Sequence, residues 1–202
     1  MKIKFFVLFA VAIPAYAQLN VSGFVGINPN NTNFLDLYWK PGIICGAGSE
    51  VFVSPSIALS PSVEYAHYTF DNYEVYHEVS VPEVHIISVI GEPLNLWRLF
   101  LEAKFFGNLT TTIPVYFTTG FGYVNRDVGV IHRTFKDMNY PNTFTGTIKF
   151  ENSSVIVHTM GLGIRLRVTP YFSLDLKGQY FTNYNDRWYT SLKCGIVYTV
   201  FK

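Results

Sequence analysis

The sequence predicts an all-β fold: an eight-stranded antiparallel up-and-down transmembrane β-barrel. Three observations predict it. Apolar and polar residues alternate with period two in recurring segments of about ten to fourteen residues. Short and long connections alternate between those segments, and an export signal precedes them with no helical anchor behind it.

Composition sets the frame. Of the 202 residues, 49% are hydrophobic, 17% aromatic and only 14% charged, which is too apolar for a disordered chain. The 18 Phe, 14 Tyr and 3 Trp exceed the usual needs of a core this size, so a second destination for rings is expected. Fifteen Lys and Arg against 14 Asp and Glu leave +1, so nucleic acid is not an expected partner.

Lys2 and Lys4 precede nine apolar residues, Phe5 to Ile13, followed by Pro14 and Ala15-Tyr16-Ala17. This reads as a secretory signal, residues 1–17, cut between Ala17 and Gln18, with Ala15 and Ala17 as the small residues of the cleavage site. Residues 18–202 then form one barrel domain. The apolar run is too short to span a bilayer, which takes about 20 helical residues. The stretch from Phe105 to Asn125 has no Asp, Glu, Lys or Arg, but its Pro114, three glycines and five threonines suit strands and turns.

Eight segments follow in order. Leu19 to Asn28 opens the set. Gly42 to Val53 and Ile57 to Thr69 carry Glu50 and Glu64 on their polar sets, joined by the tight turn Ser54-Pro55-Ser56. In Leu94 to Phe106, Trp97, Leu99, Leu101, Ala103 and Phe105 oppose Arg98, Phe100, Glu102 and Lys104. Pro114 to Arg126 follows a modest turn, 107–113. In Val155 to Val168, Met160, Leu162, Ile164, Leu166 and Val168 oppose Thr159, Gly161, Gly163, Arg165 and Arg167. After Thr169-Pro170-Tyr171, Phe172 to Tyr184 sets Phe172, Leu174, Leu176 and Tyr180 against Ser173, Asp175, Lys177 and Gln179. Trp188 to Phe201 closes the series, with Leu192, Cys194, Ile196, Tyr198 and Val200 opposing Ser191, Lys193, Gly195 and Val197. The connections 29–41, 70–93 and 127–154 are long. A ten-strand variant would recruit Ser80 to Ile90 and Val128 to Phe135.

Alternation alone fits two arrangements. A soluble exported calycin-type barrel, binding a small apolar ligand, would turn the apolar set inward; a membrane barrel would turn it outward. Three features favour the latter. The polar set mixes small residues with balanced charges, as a narrow lumen needs. Rings sit near segment ends, at Trp97, Phe105, Phe117, Tyr123, Phe172, Tyr180, Trp188 and Tyr198, where they can form interfacial girdles. The Gly-x-Trp signature of lipocalins is absent. The lumen is therefore expected to be plugged by Glu50, Glu64, Glu102 and Asp175 paired with Arg98, Lys104, Arg165, Arg167, Lys177 and Lys193. Cys45 and Cys194, separated by an intervening strand, are expected to be free thiols.

The end of the chain, Lys193-Cys-Gly195-Ile-Val-Tyr198-Thr-Val200-Phe201-Lys202, resembles the C-terminal insertion signal of outer-membrane barrels in its Lys193, Gly195, Tyr198, Val200 and Phe201. Together with Tyr116-Phe-Thr-Thr-Gly120-Phe-Gly122-Tyr123 and Met160-Gly-Leu-Gly-Ile-Arg-Leu, it makes the chain resemble the small outer membrane protein A-like β-barrel family. The resemblance implies location in the bacterial outer membrane, with outer-membrane lipid and the barrel assembly machinery as partners. It also implies a role in envelope integrity, adhesion or surface antigenicity, with a host or surface ligand met through residues 29–41, 70–93 and 127–154.

An enzyme is the competing class, since some small barrels modify lipid A with a His, Ser and acid triad. His158 beside Thr159 and His67 beside Tyr68 are the candidates, but both fall on the apolar face, so no catalytic residue is expected. The acidic run 70–93 lacks a recognised metal spacing and reads as a solvated surface. No metal or cofactor is expected.

Overall fold

The computed structural model describes residues 18–29, 38–72, 84–137, 143–149, 152–182 and 188–201. The expected signal sequence, residues 1–17 with Ala15 and Ala17, lies outside them. In chain order the strands are β1 (Leu19–Asn28), β2 (Gly42–Ser54), β3 (Ile57–Tyr68), β4 (Val84–Gly91), β5 (Leu94–Phe106), β6 (Val115–Val128), β7 (Val130–Asp137), β8 (Thr143–Lys149), β9 (Ser153–Arg167), β10 (Phe172–Thr182) and β11 (Trp188–Phe201).

Eight of these close into an antiparallel barrel in the order β1-β11-β10-β9-β6-β5-β3-β2. Closure follows from the first and last strands pairing, with Val21 opposite Tyr198 and Ile27 opposite Leu192. It leaves no open backbone edge around the wall, a requirement wherever water is excluded. The eight expected segments are these eight strands, three of them with identical ends.

The ten-strand variant is corrected. Segments within 80–90 and 128–135 do form strands, but β4, β7 and β8 leave the wall as a separate three-stranded sheet, ordered β4-β7-β8. That order copies the order of the barrel strands they join, because β4 runs into β5, β6 into β7 and β8 into β9. The sheet is thus an outward continuation of three neighbouring wall strands. The connections 70–93 and 127–154, expected as loops, supply it.

The break between wall and sheet has a local cause. Pro93 cannot donate a ladder hydrogen bond, and at Gly129 a Cβ would lie 2.2 Å from Glu92 Cβ, so only glycine allows this approach. Glu92 N donates to Val130 O at 3.0 Å, and Val130 N donates to Glu92 Oε2 at 2.9 Å. Trp39, 1% exposed, donates from Nε1 to Glu92 O at 3.1 Å. Val89 and Ile131 of the sheet join Trp39, Tyr68, Leu94, Leu96, Phe100, Val124, Val157 and Phe181 of the barrel in one apolar cluster at the end of the barrel that carries the sheet.

Candidate functional site

The inward residues below that cluster are polar and charged. Glu50 on β2 is wholly buried and receives two parallel hydrogen bonds from Arg165 on β9, Nη1 to Oε2 at 2.8 Å and Nη2 to Oε1 at 2.6 Å. Lys104 Nζ donates to Oε1 at 2.5 Å and Asn20 Nδ2 to Oε2 at 3.0 Å. The remaining face of Arg165 donates from Nε to Asp175 Oδ1 at 3.0 Å, and Tyr116 OH donates to Asp175 Oδ2 at 2.5 Å. Tyr116 fits because its ring lies over Gly163, where a Cβ would come within 2.2 Å of it.

A second group lies farther along. Glu102 accepts from Lys177 Nζ at 2.5 Å, Gln179 Nε2 at 2.7 Å and Thr159 Oγ1 at 3.0 Å. Lys193 donates to Glu64 and to Gln179, and its ammonium lies 5.3, 5.4 and 5.5 Å from the ring centres of Phe24, Phe100 and Phe181. Arg98 Nη1 is 3.8 Å from Glu64 Oε2, and Arg98 Nη2 donates to Tyr68 OH at 3.0 Å.

The network therefore brings together Glu50, Glu64, Arg98, Glu102, Lys104, Arg165, Asp175, Lys177 and Lys193. Arg167 is the correction. Strand alternation breaks down at the turn, so Arg167 is exposed where β9 ends, its backbone N–H donating to Thr112 O at 3.1 Å. Asn20, Tyr68 and Tyr116 complete the network although charge pairing alone does not point to them; their signal is inward parity on their strands.

Charges of both signs pair through this interior, as burial demands, although Glu64 Oε2 is buried with Arg98 Nη1 at 3.8 Å, beyond hydrogen-bond reach. The apolar cluster closes the outer side of the network, and Phe52, Ala58, Phe106 and Tyr116 form a second cluster at the short-turn end. A void of about 40 Å³ remains among Ser22, Ser60, Ser62, Glu64 and Lys193, room for about one water. This is a plugged lumen.

The outer surface is the inverse. Val25, Leu99, Leu101, Phe121, Ile156, Leu162, Leu192 and Ile196 all point outward and are exposed. An apolar belt around a charged interior is the arrangement hydrocarbon selects, and it removes the calycin reading, which needs the faces reversed. Aromatic pairs edge the belt: Phe105 stacks with Phe117 at 6.4 Å, and Tyr65 meets Trp97 at 4.9 Å. Tyr123, Tyr180 and Tyr198 are exposed, while Phe172 is half-buried. The side chain of Trp188 lies outside the described residues. Cys45 and Cys194 are free and exposed, each opposite Val25 from the two flanking strands.

Both histidines of the enzyme reading are half-buried on the outer side. His158 Nε2 lies 3.2 Å from Thr119 Oγ1, and His67 Nδ1 lies 2.8 Å from Asn95 Oδ1. These amide and hydroxyl partners supply no carboxylate to orient either ring, so neither histidine is set in a triad among the described residues.

In the last strand, Lys193 and Gly195 face the lumen while Tyr198 and Val200 face outward. Phe201 pairs with Leu19. Gln18 at the start of the described chain donates from Nε2 to Asn20 Oδ1 at 3.1 Å.

No protein-family model matches the chain, and no curated protein matches it in sequence. Solved structures do match. The outer membrane protein OprG of Pseudomonas aeruginosa aligns with a TM-score of 0.55 at 8% identity, covering 92% of this chain and 97% of that one. Neisserial surface protein A aligns at 0.51 and 11% identity, covering 89% and 96%. Ail, the attachment invasion locus protein of Yersinia pestis, aligns at 0.50 and 11% identity, covering 91% and 97%. At such identities the fold is what is shared: this chain is an eight-stranded antiparallel barrel resembling small bacterial outer-membrane barrel proteins.

Proposed function

We propose that this protein is a non-enzymatic outer-membrane barrel of the outer membrane protein A-like kind, with a structural or surface-interaction role in envelope integrity, adhesion or antigenicity. The single observation that carries the reading is the inversion of faces, with an apolar belt outside and a network of paired charges inside. A plugged lumen transports nothing of size, so the working part is what stands beyond the belt. Rigid scaffolds commonly present their binding residues on such outer segments. Here these are residues 29–41, 70–93 and 127–154, the last two supplying the three-stranded sheet.

Residues 1–17 act as the export signal, cut before Gln18. Lys193, Gly195, Tyr198, Val200 and Phe201 serve the assembly machinery as the insertion signal, and outer-membrane lipid surrounds the folded wall.

Protease added to whole cells tests the orientation. Cleavage is expected within 70–93 or 127–154, with the wall protected. Cleavage at Ser54 to Ser56 or Thr169 to Tyr171 would mean that the short turns face outward and that the protruding sheet is not presented to the exterior.

A further inference from the structure

The two outer strands of the protruding sheet are not alike. Along β4 the register against β7 shifts between Ile86 and Ser88, a break of the kind that spoils an edge for further pairing. Along β8 it does not. Thr143 to Lys149 run in unbroken register against β7, with no proline and with Lys149 as the strand's one charge. Among the described residues no strand pairs with the other edge of β8. Phe144 stands 55% exposed on it.

This strand reads nearly the same in both directions about Gly146: Thr145 and Thr147 flank it, then Phe144 and Ile148, then Thr143 and Lys149. Two copies of β8 laid antiparallel about Gly146 therefore set Thr145 against the partner's Thr147, Phe144 against the partner's Ile148, and Thr143 against the partner's Lys149. Hydroxyl meets hydroxyl, ring meets β-branched chain, and the ammonium meets no like charge, all pairings that favour antiparallel strands. A slip of one residue would turn the threonine face onto Phe144 and Ile148. The edge is thus self-complementary, as a two-fold contact requires.

Strand direction fixes where the second copy stands. β8 leads into β9, which runs to the short turn Thr169-Pro170-Tyr171, so β8 points toward its own wall. An antiparallel partner points the other way, and its wall lies at the opposite end of the pair. Two such barrels do not fit in one membrane with the same end outward. We propose that the free edge of β8 binds β8 of a second copy of this chain in a facing membrane, joining two three-stranded sheets into one of six. The inference deepens the surface-interaction role and rests on it: the contact made is adhesion between like cells.

The test uses whole cells carrying the full-length protein with Cys45→Ser and Cys194→Ser. One population adds Thr145→Cys and a second adds Thr147→Cys. Opposed residues of an antiparallel pair stand about 5 Å apart at Cα, within disulfide reach, whereas two copies of the same position are diagonal and about 7 to 8 Å apart, beyond it. Mild oxidation of the mixed cells should therefore give at least about tenfold more disulfide-linked dimer than either population alone. Thr145→Lys with Thr147→Lys sets like charges opposite each other and should slow the settling of cells at least about tenfold, while Thr145→Glu with Thr147→Lys should restore it. Equal dimer yields in mixed and unmixed cells, or equal settling of wild type and the like-charge variant, would overturn the proposal. A membrane-impermeant maleimide separates the two levels of failure. If it does not reach the Thr145→Cys thiol on whole cells, the outward presentation of residues 127–154 is wrong and this inference goes with it. A labelled thiol that forms no dimer in the mixture overturns the edge pairing alone.

Discussion

Arg165 grips Glu50 from the opposite side of the barrel with two parallel hydrogen bonds of 2.8 and 2.6 Å. Their strands, β9 and β2, stand four places apart in a ring of eight, so the pair ties the wall across its full diameter. Both side chains are buried, with exposures of 6% and 0%. The planar guanidinium makes such a two-point tie possible where an ammonium does not.

Removing one end of this tie should be costly. Arg165→Met leaves the Glu50 and Asp175 carboxylates with less compensation and should lower stability by about 3 to 5 kcal/mol. Lys136→Met on the exposed outer sheet should change it by less than about 0.5 kcal/mol. Urea unfolding in lipid vesicles measures both. The double variant Glu50→Gln with Arg165→Met should cost less than the two single losses added together, because both singles remove the same Arg165–Glu50 tie, while Lys104 and Asp175 each still lose an ion-pair partner. Equal midpoints for Arg165→Met and Lys136→Met would show that the network contributes no stability.

The belt sets a depth dependence. Ile196 sits within it, opposite Gly23 and Leu174, so Ile196→Arg should cost about 2 to 4 kcal/mol. Val200, near the end of β11, lies close to the interface, and Val200→Arg should cost about 0 to 1 kcal/mol. Vesicle unfolding titrations read the difference, and equal costs at the two positions would contradict a bilayer spanning this face.

Trp39 couples the protruding sheet to the wall. Trp39→Phe keeps an apolar ring but loses the hydrogen bond from Nε1 to Glu92 O, so the bend at Glu92 and Gly129 should loosen while the barrel stays closed. Hydrogen exchange should quicken in β4 and β7 and remain unchanged in β10. Uniformly faster exchange would mean that Trp39 supports the whole barrel rather than the bend.

The closing strand separates assembly from stability. Tyr198→Ala with Phe201→Ala should still fold in detergent, because the buried partners Lys193, Glu64 and Gln179 are untouched. In cells the same variant should be exported, cleaved after Ala17 and left unassembled in the periplasm. Normal yield in the outer membrane would end the reading of residues 193–201 as an insertion signal.

The wall was legible because its physics is local and periodic. Each strand alternates one face toward lipid and one toward a narrow polar lumen, so Leu101 and Glu102, or Leu176 and Lys177, announce their sides by type alone. Glu50 and Arg165 were legible as inward residues, while their meeting across the lumen depends on the barrel's closure and register, which no single strand encodes. Arg167 was misplaced for a related reason, since parity loses meaning where a strand runs into its turn. The outer sheet was harder. β8 exposes both faces, with Phe144, Thr145 and Thr147 all open to solvent, so it carries no alternation to read. That β4 and β7 leave the wall is decided by Pro93, Gly129 and the Glu92 to Val130 hydrogen bonds, a local break that looks like an ordinary turn in sequence. Trp39 lies in a long polar connection, and its burial is a purely tertiary effect.

The inversion of faces is tested most directly by cell fractionation joined to electrophoretic mobility with and without boiling. A barrel with a lipid-facing belt and a charge-paired lumen should partition with outer membranes, and its unheated form should migrate differently from its boiled form, because the closed wall resists detergent. Recovery in the soluble periplasmic fraction, with one mobility under both conditions, would contradict the bilayer-spanning barrel.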